Sequence, residues 1–159
     1  MKKSLIIILI ISALLTACSK DTTDYSALKT EEIVDHIVKY APVEFGYCDV
    51  SDYYMKNYFS DLRAPLEYRI FTCNESSNFN EFGVFKFSDE GDAEDGLKVL
   101  RHYLNTSKEE FENGIIYDIN EYPKFTNARM EKVGVYLIYT ILNKNEADSA
   151  FAAIKHQNK

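Results

Sequence analysis

The residues of this chain best suited to nucleophilic or metal chemistry are three histidines and three cysteines. Zinc binding wants pairs such as Cys-x₂-Cys or two histidines one helical turn apart. His36, His102 and His156 fall on three separate predicted helices and form no such pair. Each reads as a surface or boundary histidine. A thiol nucleophile at Cys48 would need a histidine base and a third group to orient it. No flanking motif supplies either. Five acids between Asp89 and Asp95 raise the question of calcium. An EF-hand loop wants acids at positions one, three and five before a glycine at six. With Gly96 as that glycine, positions one and three are Gly91 and Ala93, so the pattern fails. Acids at the start of a helix instead complement its dipole. The chain has neither a glycine-rich phosphate loop nor a serine-nucleophile elbow. The reading is therefore no catalytic set, no metal set and no cofactor.

The third cysteine is different. Lys2 and Lys3 precede an apolar run from Leu5 to Leu15, and Ser19-Lys20-Asp21 turns abruptly polar. A positive start, a short apolar stretch and small residues before a cut make a secretory signal. The run is too short for a membrane span, which takes about 20 apolar residues. Ordinary signal peptidase wants small residues one and three places before its cut, and Leu15 is bulky. Leu15-Thr16-Ala17-Cys18 instead resembles the lipobox of bacterial lipoproteins. That resemblance implies a diacylglyceryl thioether on Cys18 and cleavage that makes Cys18 the new N-terminus. A single myristoyl chain gives only marginal binding, at about 0.8 kcal/mol per buried CH₂, so two or more chains would anchor the protein stably.

Cleavage after residue 17 leaves 142 of the 159 residues, enough for one domain. It removes two lysines and no acid, which takes the formal charge from −7 to −9. Nucleic-acid binding needs clustered Lys and Arg, so an acidic chain of this kind is a poor candidate. Anionic headgroups would also repel it, leaving the lipid as its hold on the membrane. Outside the cytoplasm disulfides form. A Cys48–Cys73 bridge would close a loop of about 25 residues and stabilise by roughly 3 kcal/mol. Two independent thiols are the alternative, with Cys73 in a strand and Cys48 near a loop.

The elements follow from periodicity. Residues 18–29 read as a lipidated tether and 30–159 as one globular domain. Thr30 caps a helix with Ile33, Ile37 and Tyr40 on one face, ended by Pro42. Ser51-Asp52 starts a second, short helix carrying Tyr54, Met55, Tyr58 and Phe59. From Pro65 the period becomes two. Leu66 to Cys73 and Glu81 to Phe87 are strands. Ala93, Leu97, Leu100, Leu104 and Phe111 then share one face of a long helix that stops at Gly114. Asn127 to Lys132 and Val135 to Leu142 form another strand pair, and Ala147, Ala150, Phe151 and Ile154 mark a last helix. The strand–strand–helix unit thus occurs twice. A 54-residue offset sets Phe85 on Tyr139, Phe87 on Ile141, Leu97 on Phe151 and Leu100 on Ile154. The expected fold is α+β: a two-layer domain with a four-stranded, mainly antiparallel sheet, both unit helices on one face, and two N-terminal helices before it.

Glu81-Phe82-Gly83-Val84-Phe85-Lys86-Phe87-Ser88-Asp89, an acidic helix, Asn127-Ala128, Gly134-Val135-Tyr136-Leu137 and a closing helix resemble one group of proteins. These are small lipoproteins of Gram-positive bacteria that carry domain of unknown function 4358. The resemblance covers most of residues 30–155. It implies a lipid-anchored single domain and brings no activity or site residues with it.

Alternation assigns Phe85, Phe87, Leu137, Tyr139 and Ile141 to the face under the unit helices. The other face carries Phe82, Val84, Lys86, Tyr136, Ile138 and Thr140, and needs a cover or a partner. The two N-terminal helices would serve as cover. The functional reading makes Phe82, Lys86, Tyr136 and Thr140 a contact face for an envelope protein, a wall component or a peptide. The chain's 12 tyrosines suit an interface with one apolar and one wet side. The leading expectation is a non-enzymatic binding module on the outer side of the cell membrane, held by the lipid on Cys18. The alternative is a small-molecule-binding or enzymatic domain using Cys48 or carboxylates in a cleft.

Overall fold

The computed structural model describes residues 28–114 and 118–156. The lipobox Leu15 to Cys18 and the tether as far as residue 27 lie outside the described residues, as do 115–117 and 157–159.

Helix α1, Thr30–Tyr40, buries Thr30, Ile33, Val34 and Ile37 along one stripe. Glu32 reaches back to the Lys29 backbone N–H at 3.3 Å, satisfying one of the free donors at the helix start. Strand β1, Tyr47–Asp49, and the short helix α2, Ser51–Asn57, follow. Strands β2, Glu67–Cys73, and β3, Glu81–Lys86, pair as a hairpin. Helix α3, Glu90–Glu112, is capped by Asp89, whose carboxylate accepts from the backbone N–H groups of Gly91 and Asp92. The acidic run thus starts a helix, and its charges meet cations. Arg63 pairs with Asp92, and Lys132 lies 2.9 Å from Glu90. A one-turn helix α4, Tyr122–Thr126, begins with proline in its first turn. Strands β4, Arg129–Val133, and β5, Tyr136–Ile141, turn at Gly134, whose φ of 59° favours glycine. Helix α5, Lys144–His156, closes the chain of described elements.

The sheet has five antiparallel strands in the order β1-β2-β3-β5-β4. The fold is α+β as expected, with a strand more than expected. The extra strand, β1, is only three residues long, too short for alternation to declare itself, and it takes Cys48 out of the loop.

Three expectations are corrected. First, the two unit helices lie on opposite faces. Phe85, Leu137, Tyr139 and Ile141 pack with Ala93, Leu100 and Leu104 of α3, whereas Phe151 and Ile154 of α5 pack with Phe82, Val84, Tyr136 and Ile138. The domain therefore has three layers. Both faces of β5 are apolar and each needs a cover. The 11-residue α1 covers only part of one face, and α5 completes it. Second, the N-terminal helices also separate. α1 sits beside α5, while Tyr54 and Met55 of α2 join the α3 side.

Third, the proposed contact face is interior. Phe82, Tyr136 and Thr140 are fully buried. Lys86 is half-buried, 3.0 Å from Glu67 and over the Tyr136 ring. The Tyr136 hydroxyl donates to the Leu28 carbonyl at 2.5 Å, so the last tether residues already belong to the core. Of the two readings of the cysteines, a bridge or two independent thiols, the second describes the structure: Cys48 and Cys73 are free. Tyr47 is the residue opposite Cys73, so Cys48 is one place out of register. Adjacent strand residues point to opposite faces, which turns the two sulfurs away from each other.

Candidate functional site

The site lies at the end of the sheet where β3 begins. Alternation sets Glu81 on the face of Gly83, Phe85 and Phe87, pointing at α2 and α3 among apolar side chains. Its register partners are Thr72 on β2 and Ile141 on β5. A lone buried carboxylate there would be costly. Three tyrosyl hydroxyls satisfy it. Tyr103 and Tyr139 each donate to Oε1 at 2.7 Å, and Tyr54 donates to Oε2 at 2.9 Å. Each carboxylate oxygen has two acceptor positions, so Oε2 keeps one in reserve.

Each donor comes from a different element. Tyr54 is on α2, Tyr103 on α3 and Tyr139 on β5. Tyr139 depends on a missing side chain. It stands opposite Gly83 in the register, and a Cβ built at Gly83 would run into the Tyr139 ring. Glycine inside a strand often marks such a close approach. The ring lies across β3 and its hydroxyl meets Glu81, two residues back. Phe59 touches Tyr54, Tyr103, Tyr139 and Phe85 by ring contacts and holds the cluster in place.

Burial pushes the Glu81 carboxyl upward, and the three tyrosines pull it back only in part. The same burial, with the carboxylate close by, raises Tyr54, Tyr103 and Tyr139 far above the ordinary phenol value. The hydroxyls therefore remain donors.

A cleft of roughly 310 Å³ opens over this cluster. Tyr54, Tyr58, Phe79, Tyr103 and Phe125 give it aromatic walls, and Glu75, Glu81 and Glu110 give it acids. Tyr58, about half exposed, stands at the mouth and packs at a tilt against Tyr54 with ring centroids 4.9 Å apart. The outer wall is the loop between β2 and β3. A buried ion pair holds it, with Lys124 Nζ 2.6 Å from Glu121 and 2.8 Å from Asn78 Oδ1, and Glu121 accepting from the Phe79 N–H.

A larger groove of about 810 Å³ runs beside β2 between α1 and α2. Its charged groups are held by neighbouring side chains. Arg69 lies 2.8 Å from Glu31, Thr30 donates to Glu67, and Tyr68 donates to Asp52 at 3.1 Å. The Glu81 cleft is the better candidate, because its lining holds no lysine or arginine and its buried carboxylate is served by three hydroxyl donors.

Cys48 does not belong to it. The thiol is exposed on the edge strand, with Thr72 of β2 between it and Glu81 in the cross-strand row. His102 and His156 are exposed on α3 and α5, and His36 is half-buried on α1. Among the described residues no group of three or more His, Cys, Asp or Glu is placed to hold a metal ion. No described helix is long and apolar enough to cross a membrane.

Sequence reasoning missed the Glu81 site. The signal was present in the alternation of β3, which puts a glutamate and a mid-strand glycine on an apolar face. The tyrosines that answer it come from positions 54, 103 and 139, too far apart to suggest one another. No family model, curated protein or solved structure matches the chain.

Proposed function

We propose that this protein is a lipid-anchored, extracytoplasmic binding module, and that its ligand is a small molecule taken into the tyrosine-walled cleft over Glu81. The anchor rests on Leu15-Thr16-Ala17-Cys18, and the kinship with the Gram-positive lipoprotein group rests on the strand-and-turn motifs. The observation that supports the cleft is the Glu81 carboxylate. It is buried, held by three hydroxyls from three elements, and open to the cleft with one acceptor position uncommitted. Small-molecule sites combine such apolar walls with few, well-placed polar groups. The sheet face around Phe82 and Tyr136 is core and takes no partner. Cys73 also lines the cleft, but no histidine stands in that lining to serve it as a base, so the catalytic reading has less to support it.

Two measurements test the proposal. Metabolic labelling with an alkyne fatty acid should mark the wild-type chain and not Cys18→Ala, and the variant should leave the membrane fraction. Labelling that survives the substitution would overturn the anchor. For the cleft, thermal unfolding with a panel of neutral, anionic and cationic aromatic small molecules should reveal at least one that raises the midpoint of the wild type more than that of Tyr58→Ala. A panel without any such compound would overturn the binding reading.

A further inference from the structure

Resting on that reading of the cleft, we infer that its ligand is an organic cation: a protonated amine seated against Glu81 and enclosed by tyrosine rings. The geometry points to this class through three features. The first is charge. The charged side chains lining the cleft are Glu75, Glu81 and Glu110, with no lysine or arginine among them. Lys124, just outside, is neutralised by Glu121. An anion would meet only like charge there.

The second feature is the walls. Tyr54, Tyr58 and Tyr103 stand in mutual contact, with centroids 4.9 to 6.3 Å apart. The electron-rich face of an aromatic ring attracts a cation within about 6 Å, and several rings together form the cage that recognises ammonium groups. Tyr58 is about half exposed and lines the mouth of the cleft.

The third is the vacant acceptor. Three phenols donate into the carboxylate, and its remaining acceptor position is on Oε2. A group completing that shell has to be a donor. An ammonium N–H supplies the donor and the opposing charge together, and a charged bond of this kind is the stronger one. A neutral alcohol supplies only the donor. The cleft volume of about 310 Å³ suits a small aromatic or aliphatic amine.

Calorimetric titration of the full-length protein in detergent tests this with four probes of similar shape: benzylammonium, benzyltrimethylammonium, benzyl alcohol and benzoate. Benzylammonium is expected to bind tightest. Benzyltrimethylammonium keeps the charge and loses the N–H donor, so it should bind more weakly than benzylammonium and more tightly than benzyl alcohol. Benzoate should not bind. Glu81→Gln should weaken benzylammonium by about tenfold or more, the scale of a lost charged hydrogen bond. Tyr58→Ala, at the exposed mouth where folding is not at stake, should weaken both cations. Equal or tighter binding of benzyl alcohol or benzoate would overturn the cation assignment and leave the cleft a ligand site. If none of the four binds, the assignment and the cleft reading fall together. Cation binding that Glu81→Gln and Tyr58→Ala leave unchanged, in folded variants, would place the amine elsewhere and overturn the assignment alone.

Discussion

Glu81 carries opposing demands, and acid–base behaviour is where they become measurable. Burial raises its carboxyl above the ordinary glutamate value, against the pull of Tyr103, Tyr139 and Tyr54. The facing titratable groups are those three phenols, from α3, β5 and α2, with Glu75 and Glu110 at the rim. A glutamate that holds its proton more tightly folded than unfolded favours the fold in acid. Its contribution declines as pH rises from the unfolded value, about 4.3, and levels off above the raised folded one. Glu81→Gln removes this dependence while keeping the shape. Its carbonyl accepts from Tyr103 and Tyr139, and its amide N–H can donate to the Tyr54 hydroxyl, which then accepts. Subtracting the wild-type unfolding midpoint from that of the variant, from pH 4 to pH 8, should give a difference that climbs with pH in the variant's favour. The rim acids are common to both proteins and cancel. A difference that is flat, or falls, would mean the tyrosines outweigh burial. The sequence shows Glu81 only as the first residue of a strand, where glutamate is unremarkable. Its meaning depends on rings that arrive from 27, 22 and 58 residues away.

At the scale of elements, the alternation in β3 and β5 sorts the residues between faces as expected, because a period of two is intrinsic to a strand. Which helix covers which face is not intrinsic. The 54-residue offset assigns the same face to α3 and α5, yet Leu142, buried on the α1 side, leads the chain to the other face before α5 begins. The covering of that face has a consequence for Tyr136. Its ring is fully buried and its hydroxyl holds the Leu28 carbonyl. Tyr136→Ala should cost about 3–5 kcal/mol by denaturant titration, as large aromatic truncations in cores do. A loss under about 1 kcal/mol would return Tyr136 to the surface role first expected of it. Gly83 gives the converse test. A methyl there meets the Tyr139 ring, so Gly83→Ala should cost about 1–3 kcal/mol through overpacking. It should also displace the Tyr139 hydroxyl from Glu81. The double variant Gly83→Ala/Tyr139→Leu should recover part of the loss, because the clashing atoms are gone. Failure to recover would locate the cost in the β3 backbone.

The described residues form a three-layer domain, lipidation is proposed for Cys18 ahead of it, and the thiols report on both. The α+β class is legible in the order of elements. The layer count is not, because it depends on how much area each helix must cover. Cys48 and Cys73 show the same limit. Their loop length suits a bridge, but β1 sets them one residue out of register and on opposite faces. A bridge closing about 25 residues would stabilise by roughly 3 kcal/mol. Excess reductant should therefore leave the unfolding midpoint of the native protein unchanged, whereas a bridged protein would lose several degrees. Thiol counting in denaturant joins this to the anchor. A chain lipidated on Cys18 holds that sulfur as a thioether and should titrate two thiols per molecule, those of Cys48 and Cys73. Before unfolding, exposed Cys48 should react first and half-buried Cys73 more slowly. Three thiols from membrane-extracted protein would mean that Cys18 is unmodified. None, rising to two with reductant, would mean that the strands slip register to let the sulfurs meet. That slip would turn every side chain of β1 to the other face of the sheet, so the two-thiol count also tests the edge of the fold.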